Sequence, residues 1–185
     1  MPRAGYSLSA SLYYSWFKDF IFETQTGAIQ DDLPVFQFGQ ANARYYGAEI
    51  EASVRLGAIG GFAFNLDGVG DFTRASIRGG GPLPRIPALR LLGGLEAQSG
   101  TVTGRVEVEW VDGQDRVAAF ETPTSGYTMV NASLALKPFG ADSKIGLTLS
   151  ANNIFDVAAR RHASFLKDYA PLSGRDIRVG LRFAF

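Results

Sequence analysis

The stretch that decides the fold is the C-terminal one, Arg175-Asp176-Ile177-Arg178-Val179-Gly180-Leu181-Arg182-Phe183-Ala184-Phe185. Every second residue from Ile177 to Phe185 is apolar, and the residues between them are polar or small. Because the side chains of a strand alternate between its two faces, this pattern predicts a strand with one apolar and one polar face. A row that ends on an aromatic ring is typical of a strand whose apolar side reaches a membrane interface.

The same alternation recurs along the chain and predicts eight strands and no helix. In the first strand, six residues from Tyr6 to Trp16 alternate with small or polar neighbours. The connections alternate between long and short, beginning with a predicted long loop over residues 24–40, as in outer-membrane barrels with long outer loops and short periplasmic turns. The predicted strands cover residues 5–23, 41–56, 61–77, 86–98, 101–120, 126–138, 144–155 and 175–185.

Composition limits the class of protein. The 185 residues suffice for one domain, and the 18 Lys and Arg residues equal the 18 Asp and Glu residues, so no basic field indicates a nucleic-acid partner. The absence of cysteine excludes disulfides and thiolate metal sites. No apolar run reaches the roughly 18 residues of a membrane helix. The mean hydropathy of +0.02 agrees instead with alternating membrane strands.

The polar sides of the predicted strands carry charges of both signs, and we expect them to line the lumen of a barrel. Turning them toward lipid would cost roughly 2–4 kcal/mol for each basic residue at the bilayer midplane. Several predicted strands also exceed the usual soluble length of about 5–6 residues. A soluble barrel with its apolar side inward is the alternative. The residues expected to line the lumen are Glu49, Glu51, Arg105, Glu107 and Arg182.

The end of the chain resembles the C-terminal signal of bacterial outer-membrane β-barrels. That signal has a polar residue, a glycine two positions on, and hydrophobic residues at the third-last and last positions, here Arg178, Gly180, Phe183 and Phe185. The resemblance implies a protein of the bacterial cell outer membrane. Its partners would be outer-membrane lipid and the machinery that assembles barrels.

Four further segments resemble, in order, the barrel of TonB-dependent outer-membrane receptors. They are Gln40–Ala43 with Gly47–Glu49, Leu83–Pro87, Gly126–Leu134 and Ser150–Asp156. The resemblance implies an all-β, antiparallel, up-and-down transmembrane barrel. It also implies transport of a metal ion, a metal chelate or haem rather than enzymatic activity. Residues 162–175 resemble the last outer loop of the zinc-uptake subgroup of these receptors.

The sequence also departs from that family. Such receptors have about 22 strands around a plugged lumen, together with a box that contacts TonB, and neither the plug nor the box is found here. We therefore expect residues 1–185 to be the C-terminal portion of a barrel. Its partners would be the rest of the barrel and the plug, and it would reach TonB only through those missing segments. The alternative is a standalone eight-stranded barrel with a structural or adhesive role.

Candidate chemistry is sparse. His162 is the only histidine, and with Asp168 in the same predicted loop it is a candidate for binding a divalent metal. A solvated loop histidine is the alternative. No nucleophile elbow surrounds Ser164, and residues 79–81 lack the Lys and the following helix of a phosphate-binding loop. We therefore expect no enzyme and no bound cofactor other than a transported metal or haem.

Overall fold

The computed structural model describes residues 5–184, which form one antiparallel sheet with its strands in chain order. Among these residues no ladder joins the last strand to the first, so the described sheet has two edges. No helix within them is long and apolar enough to cross a membrane. The strands are β1 (Tyr6–Gln30), β2 (Leu33–Ile59), β3 (Phe62–Ile77), β4 (Arg90–Gln98), β5 (Val102–Val111), β6 (Tyr127–Leu136), β7 (Ile145–Asn152) and β8 (Asp176–Phe183).

The register places the apolar rows of all strands on one side of the sheet, here called the apolar face. Val54 pairs with Leu66, Leu66 with Leu95, and Leu95 with Val106. The row continues in β7 and β8, where Leu149 pairs with Val179. These side chains are not covered: Val179 is 72% exposed, Leu181 59% and Phe183 56%. The large aliphatic residues of the apolar face are therefore uncovered within the described sheet. That this face is the outer, lipid-facing side of a barrel stays a prediction.

The opposite side, here called the charged face, carries the ionisable rows. Glu49 pairs with Asp71, and Glu96 pairs with Arg105, so charges from adjacent strands stand side by side. The charged face includes Glu49, Glu51, Asp67, Asp71, Arg90, Glu96, Arg105, Glu107, Glu109, Arg178 and Arg182. The predicted all-β, antiparallel, up-and-down barrel segment is confirmed.

The connections differ between the two ends of the sheet. At one end, the turn end, they are short, and Gly60 and Gly61 close the β2–β3 hairpin with φ values of 59° and 83°. Positive φ at both central residues is what a two-residue type I′ turn requires. At the other end, the loop end, residues 78–89, 112–126 and 153–175 form long loops.

The predicted long loop over residues 24–40 is wrong. β1 and β2 continue as a hairpin until Gln30 pairs with Leu33, and Asp31 and Asp32 form its turn with φ values of 51° and 61°. Aspartate tolerates this left-handed conformation, so the Asp-Asp pair can close a two-residue hairpin. The segment resembles a loop in sequence because its apolar residues do not form one alternating row: Phe20 and Phe22 lie on one face of the hairpin, and Phe36 and Phe38 lie on the other.

β4 and β5 are shorter than predicted. β4 begins at Arg90 rather than at residue 86, because Pro84 and Pro87 precede it and proline cannot donate to a strand ladder. β5 ends at Val111 rather than at residue 120. Beyond it, Gln114 pairs with Thr124 inside the following loop, so residues 112–120 belong to that loop and not to the sheet.

Candidate functional site: the loop-covered charged face

The middle of the charged face is held by ion pairs that cross three strands. Arg105 of β5 donates to both carboxylate oxygens of Asp67 on β3, at 2.6 and 2.8 Å, and to Glu107 Oε2 at 3.1 Å. Arg90 of β4 donates to Asp71 Oδ2 at 2.7 Å and to Glu109 Oε1 at 3.4 Å. A guanidinium that binds both oxygens of a carboxylate fixes the geometry of both groups. The charged row therefore largely satisfies itself across neighbouring strands.

The residues expected to line the lumen, Glu49, Glu51, Arg105, Glu107 and Arg182, all lie on the charged face. That this face encloses a hydrated lumen stays a prediction. Of the assembly-signal residues, Arg178, Gly180 and Phe183 lie in β8, and Phe185 lies outside the described residues. Gly180 stands so close to β7 that a Cβ there would meet Thr148 Oγ1 at 2.5 Å. Recognition of this signal by an assembly machinery likewise stays a prediction.

Loops at the loop end fold back over the charged face and bury it locally. Leu83 and Ile86 of the β3–β4 loop pack against Ala43 of β2 and Ala75 of β3. Ala159 of the last loop packs against Tyr127 and Met129 of β6. These two clusters are the buried apolar cores of the described residues, and both lie on the side that carries the charges. The loops therefore cover one end of the charged face.

Asn153 anchors the last loop. Its amide nitrogen Nδ2 donates to the carbonyls of Val157 and Ser173, at 2.9 and 3.1 Å, and its Oδ1 accepts from Val157 N at 2.8 Å. Its backbone N–H donates to Asn131 Oδ1 at 2.9 Å, which ties the loop to β6. Asp156 Oδ1 accepts from Arg175 N at 2.8 Å. The Asn-Asn-Ile-Phe-Asp segment thus has a structural role, because it closes the loop onto the sheet.

A buried polar cluster joins the β5–β6 loop to the last loop. Glu121 Oε1 accepts from the backbone N–H of Arg85 at 2.7 Å, and Glu121 Oε2 accepts from Ala118 N at 3.1 Å. Lys167 Nζ donates to the carbonyl of Thr122 at 2.7 Å and lies 3.7 Å from Glu121 Oε1. Burying two charges costs desolvation free energy. The hydrogen bonds of Glu121 with Arg85 and Ala118, and of Lys167 with Thr122, offset that cost. We call Glu121, Lys167 and His162 the loop cluster.

His162 is the third member of the loop cluster and is only 4% exposed, which argues against a solvated histidine. Its Nδ1 lies 3.0 Å from Thr124 Oγ1 and 3.4 Å from Lys167 Nζ. Burial lowers the pKa of His162 below its ordinary value, and the charge of Lys167 lowers it further, against the smaller opposing effects of Glu121 and Asp168. The imidazole is therefore neutral at pH 7.

The two residues predicted to bind a metal, His162 and Asp168, lie in the same loop, but their side chains have different partners. Asp168 accepts a hydrogen bond from the Thr122 hydroxyl, whereas His162 faces Lys167 and Thr124. Within residues 5–184, no group of three or more His, Asp or Glu side chains is arranged to hold an ion. Metal binding by His162 and Asp168 stays a prediction, and it would require both side chains to leave their present partners.

Two cavities open among the loops. The first, of about 250 Å³, has aromatic walls, with Phe36 meeting Phe120 edge to face at 5.2 Å between ring centroids. Arg85 reaches into it, bonded to Glu23 Oε2 at 2.8 Å and placed 5.3 Å from the centroid of Phe165. The second, of about 280 Å³, lies deeper and is lined by Asp71, Arg90, Glu109, Tyr127 and His162.

Sequence reasoning missed most of this loop cluster. Glu121 and Lys167 were not singled out, because a loop Glu and a loop Lys carry no periodic signal. The aromatic wall was missed in part because Phe36 and Phe38 fall in the segment predicted as a loop. The one available signal was the Asp31-Asp32 pair, which is a hairpin-turn sequence when strand-forming residues flank it.

A sequence model described as "TonB dependent receptor-like, beta-barrel" matches residues 2–154. A search of curated protein sequences gives no significant match. Members of the matched family are transport receptors and not enzymes, in agreement with the prediction that this chain is not an enzyme.

Two solved structures are similar to this chain. The first, "Copper transporter OprC", superimposes with a TM-score of 0.85 at 21% identity, over 97% of this chain and 29% of that one. The second, "The FrpB iron transporter from Neisseria meningitidis (F3-3 variant)", gives a TM-score of 0.67 at 18% identity, over 96% of this chain and 29% of that one. At these identities they show the fold alone, and this chain spans less than a third of each. With the match over residues 2–154, the chain belongs to the TonB-dependent receptor-like β-barrel family.

Proposed function

We propose that this chain forms part of the wall of a TonB-dependent transport barrel in the bacterial outer membrane. The observation that carries the proposal is the sidedness of the sheet. The strands turn their apolar rows to one side, where large aliphatic side chains are exposed, and the ion pairs that join β3, β4 and β5 lie on the other side. Such a sheet is stable where hydrocarbon meets the apolar face and water meets the charged face.

We further propose that residues 1–185 are the C-terminal portion of such a barrel. The two edges of the described sheet support this, because unpaired strand edges cannot face lipid. The further strands would pair with β1 and β8, and a plug would occupy the lumen that the charged face lines. Contact with TonB would pass through those other segments. The standalone eight-stranded barrel would instead need β1 and β8 to pair with each other.

The proposed cargo is a metal ion, a metal chelate or haem. The two similar structures are titled as copper and iron transporters, which favours a metal-containing cargo. The aromatic cavity at the loop end combines apolar walls with two cations, Arg85 and Lys167, and three carboxylates, Glu23, Glu121 and Asp168. Its apolar walls suit the organic part of a chelate or haem better than a bare cation. The zinc-uptake subgroup remains one candidate among these classes.

Accumulation assays in the parent bacterium test this function. A strain deleted for the gene would be given radioactive copper, zinc, iron chelate or haem, with and without a protonophore. We expect energy-dependent accumulation of one cargo to fall in the deletion strain, because TonB-coupled transport consumes the proton gradient. A plasmid copy of the gene should restore it.

The control plasmid would carry the gene with the loop cluster altered by Lys167→Met, which leaves the membrane-facing strands untouched. If accumulation with this plasmid lies between that of the deletion strain and that of the strain with the wild-type plasmid, the loops contribute to uptake. If no cargo changes in the deletion strain, while the protein is present in the outer membrane of the wild type, the transport proposal is wrong.

A further inference from the structure

Two arginines interrupt the apolar face. The apolar rows of the eight strands lie within the paired segments 6–16, 44–54, 66–76, 91–97, 102–110, 128–136, 145–151 and 177–183. Within these rows the charged residues are Arg44 on β2 and Arg74 on β3. Every other charge in these segments lies on the charged face. The two exceptions are both cations, lie on neighbouring strands and stand near the same end of the sheet.

The register places the two arginines at neighbouring positions of the apolar face. Arg44 pairs with Ser76 and Arg74 pairs with Tyr46, so the arginines are diagonal neighbours. Diagonal neighbours on one face of a sheet lie roughly 7–8 Å apart. Both side chains are exposed, and neither forms a salt bridge with a carboxylate of the described residues. Within the described residues, both arginines therefore remain available to an external anion.

The contacts of the two side chains leave donors available. Arg44 Nε donates to Ser76 Oγ at 3.0 Å, which fixes the side chain and leaves its terminal nitrogens unused by this bond. Arg74 extends over the ring of Phe72, with its Cζ 5.4 Å from the ring centroid. A guanidinium has five N–H donors in a planar fork that suits phosphate oxygens. We call the two arginines the clamp; a phosphate that contacts both would draw Arg74 away from the ring of Phe72 and toward Arg44.

The neighbouring side chains place this clamp at a membrane interface. Trp16 pairs with Arg44 across β1 and β2, and Tyr14 stacks on Tyr46 with ring centroids 5.9 Å apart. Tyr14 also contacts Trp16 at 4.3 Å between ring centroids. Tyrosine and tryptophan gather where hydrocarbon meets headgroups, and the cost of a basic residue facing lipid is smallest there. The arginines therefore stand at the depth of lipid headgroups, at the loop end.

We propose that Arg44 and Arg74 form a binding site for the phosphate of an anionic lipid headgroup on the outer surface of the barrel. The proposal rests on the proposed membrane location of the apolar face and adds to it a specific lipid partner. Lipid, rather than dissolved phosphate, is the occupant that fits, because the clamp opens sideways from the apolar face. The acyl chains of the same lipid would lie along the aliphatic rows below it.

A titration of the whole protein, purified from outer membranes in neutral detergent, tests the site. The ligands would be a fluorescent phosphorylated glycolipid, a fluorescent phosphatidylglycerol and a fluorescent zwitterionic phospholipid. The test variant is Arg44→Gln with Arg74→Gln. The matched control is Arg55→Gln with Arg182→Gln, which removes two arginines from the charged face.

We expect the double variant to bind at least one anionic lipid roughly tenfold more weakly than the wild type, because each basic residue near a headgroup contributes to such binding. The control variant and the zwitterionic lipid should show no such loss. Equal loss in both variants would show a general charge effect and overturn the site. Displacement of the lipid by millimolar inorganic phosphate would overturn lipid as the occupant.

The same preparation separates this inference from the proposed function. In one outcome, the wild-type protein is heat-modifiable and is recovered from the outer membrane, but the double variant binds anionic lipid as tightly as the wild type. This outcome refutes the lipid site alone. Wild-type protein that is absent from the outer-membrane fraction refutes the membrane location and the lipid site together.

Discussion

Gly47 lies under the ring of Tyr13 on the charged face, and the fold leaves no room there for a side chain. A Cβ at Gly47 would meet the carbonyl oxygen of Phe72 and the hydroxyl of Tyr13, both at 2.3 Å. The Tyr13 hydroxyl also lies 2.6 Å from Thr73 Oγ1, so the ring cannot move without losing this bond. A glycine at this position is required by close approach rather than by the backbone conformation.

We predict that Gly47→Ala destabilises the protein by about 1–3 kcal/mol, as expected for overpacking. The measurement is the urea midpoint of the gel-mobility shift that separates folded from unfolded barrel. Gly104→Ala is the matched control, because its Cβ would meet only Leu134 Cδ1, at an ordinary 3.9 Å. Equal midpoints for the two variants would contradict the packing described around Tyr13.

His162 gives the loops a predictable response to acid. Folding disfavours its protonated form, so below its ordinary pKa of about 6.5 the unfolded loop binds more protons than the folded one. The stability contributed by neutral His162 is therefore complete above pH 6.5. It is lost as the pH falls through the lowered pKa of the folded state.

We predict that external protease cuts the last loop faster as the pH of intact cells falls from 7 to 5. The reference variant is His162→Gln, which keeps a polar side chain but cannot gain a proton in this range. Its cleavage should be nearly independent of pH. An acid-dependent rise of the same size in both proteins would show that His162 is not the responsible group.

At the scale of elements, the loop cluster couples three loops that are separate in sequence. Lys167 of the last loop bonds to the carbonyl of Thr122, and Glu121 bonds to the backbone of the β3–β4 loop at Arg85. A disturbance of one member should therefore reach all three loops. Buried charges of this kind are costly to leave without a partner.

We predict that Lys167→Met releases the β5–β6 loop as well as the last loop, since Glu121 loses its charged neighbour. The lost charged hydrogen bond is worth roughly 1.5–3 kcal/mol of local stability. Hydrogen exchange of residues 112–126 and 153–175 would measure the effect. Lys144→Met, at the turn end, removes the same charge from an exposed site and should change neither loop. Faster exchange confined to residues 153–175 would contradict the coupling.

The strands that have one apolar and one polar row can be predicted from the sequence, whereas the hairpin and the loops at the loop end cannot. From Tyr6 to Trp16 and from Ile177 to Phe183, one apolar row alternates with a small or polar row. This alternation predicts that each segment is a strand, which residues share a face, and how the strand aligns with its neighbours. Residues 17–42 lack that contrast because apolar side chains lie on both faces of the hairpin, where Phe20 and Phe22 pack against the β3–β4 loop and Phe36 packs against Phe120. Only the turn chemistry of Asp31 and Asp32 marks the segment as a hairpin.

The covering of the charged face by loops was also beyond sequence reasoning. Leu83, Ile86 and Ala159 are isolated apolar residues in polar segments, and nothing local shows which surface they will cover. Contacts such as Lys167 with Thr122 join residues 45 positions apart. Asn153 was noticed as part of a family-like segment, but its role as a loop anchor follows only from its hydrogen bonds.

At the scale of the whole molecule, the proposed function depends on which medium each face of the sheet contacts. Exposed aliphatic side chains lie on β1 to β5, β7 and β8, with Arg44 and Arg74 as charged interruptions, and the ion pairs of Arg90 and Arg105 lie on the opposite face. A soluble protein rarely exposes a contiguous apolar surface of this extent. Hydrocarbon on the apolar face and water on the charged face would give both the aliphatic rows and the ion pairs a favourable environment.

The most direct test is a set of single-cysteine variants, since the chain contains no cysteine of its own. Leu95→Cys and Val179→Cys report on the apolar face, and Glu107→Cys and Ser133→Cys report on the charged face. Each would carry a fluorophore in native outer membranes. We predict that nitroxide-labelled lipid quenches the first pair and a water-soluble quencher the second. Quenching of the charged-face pair by lipid, with the apolar-face pair protected from it, would contradict the account.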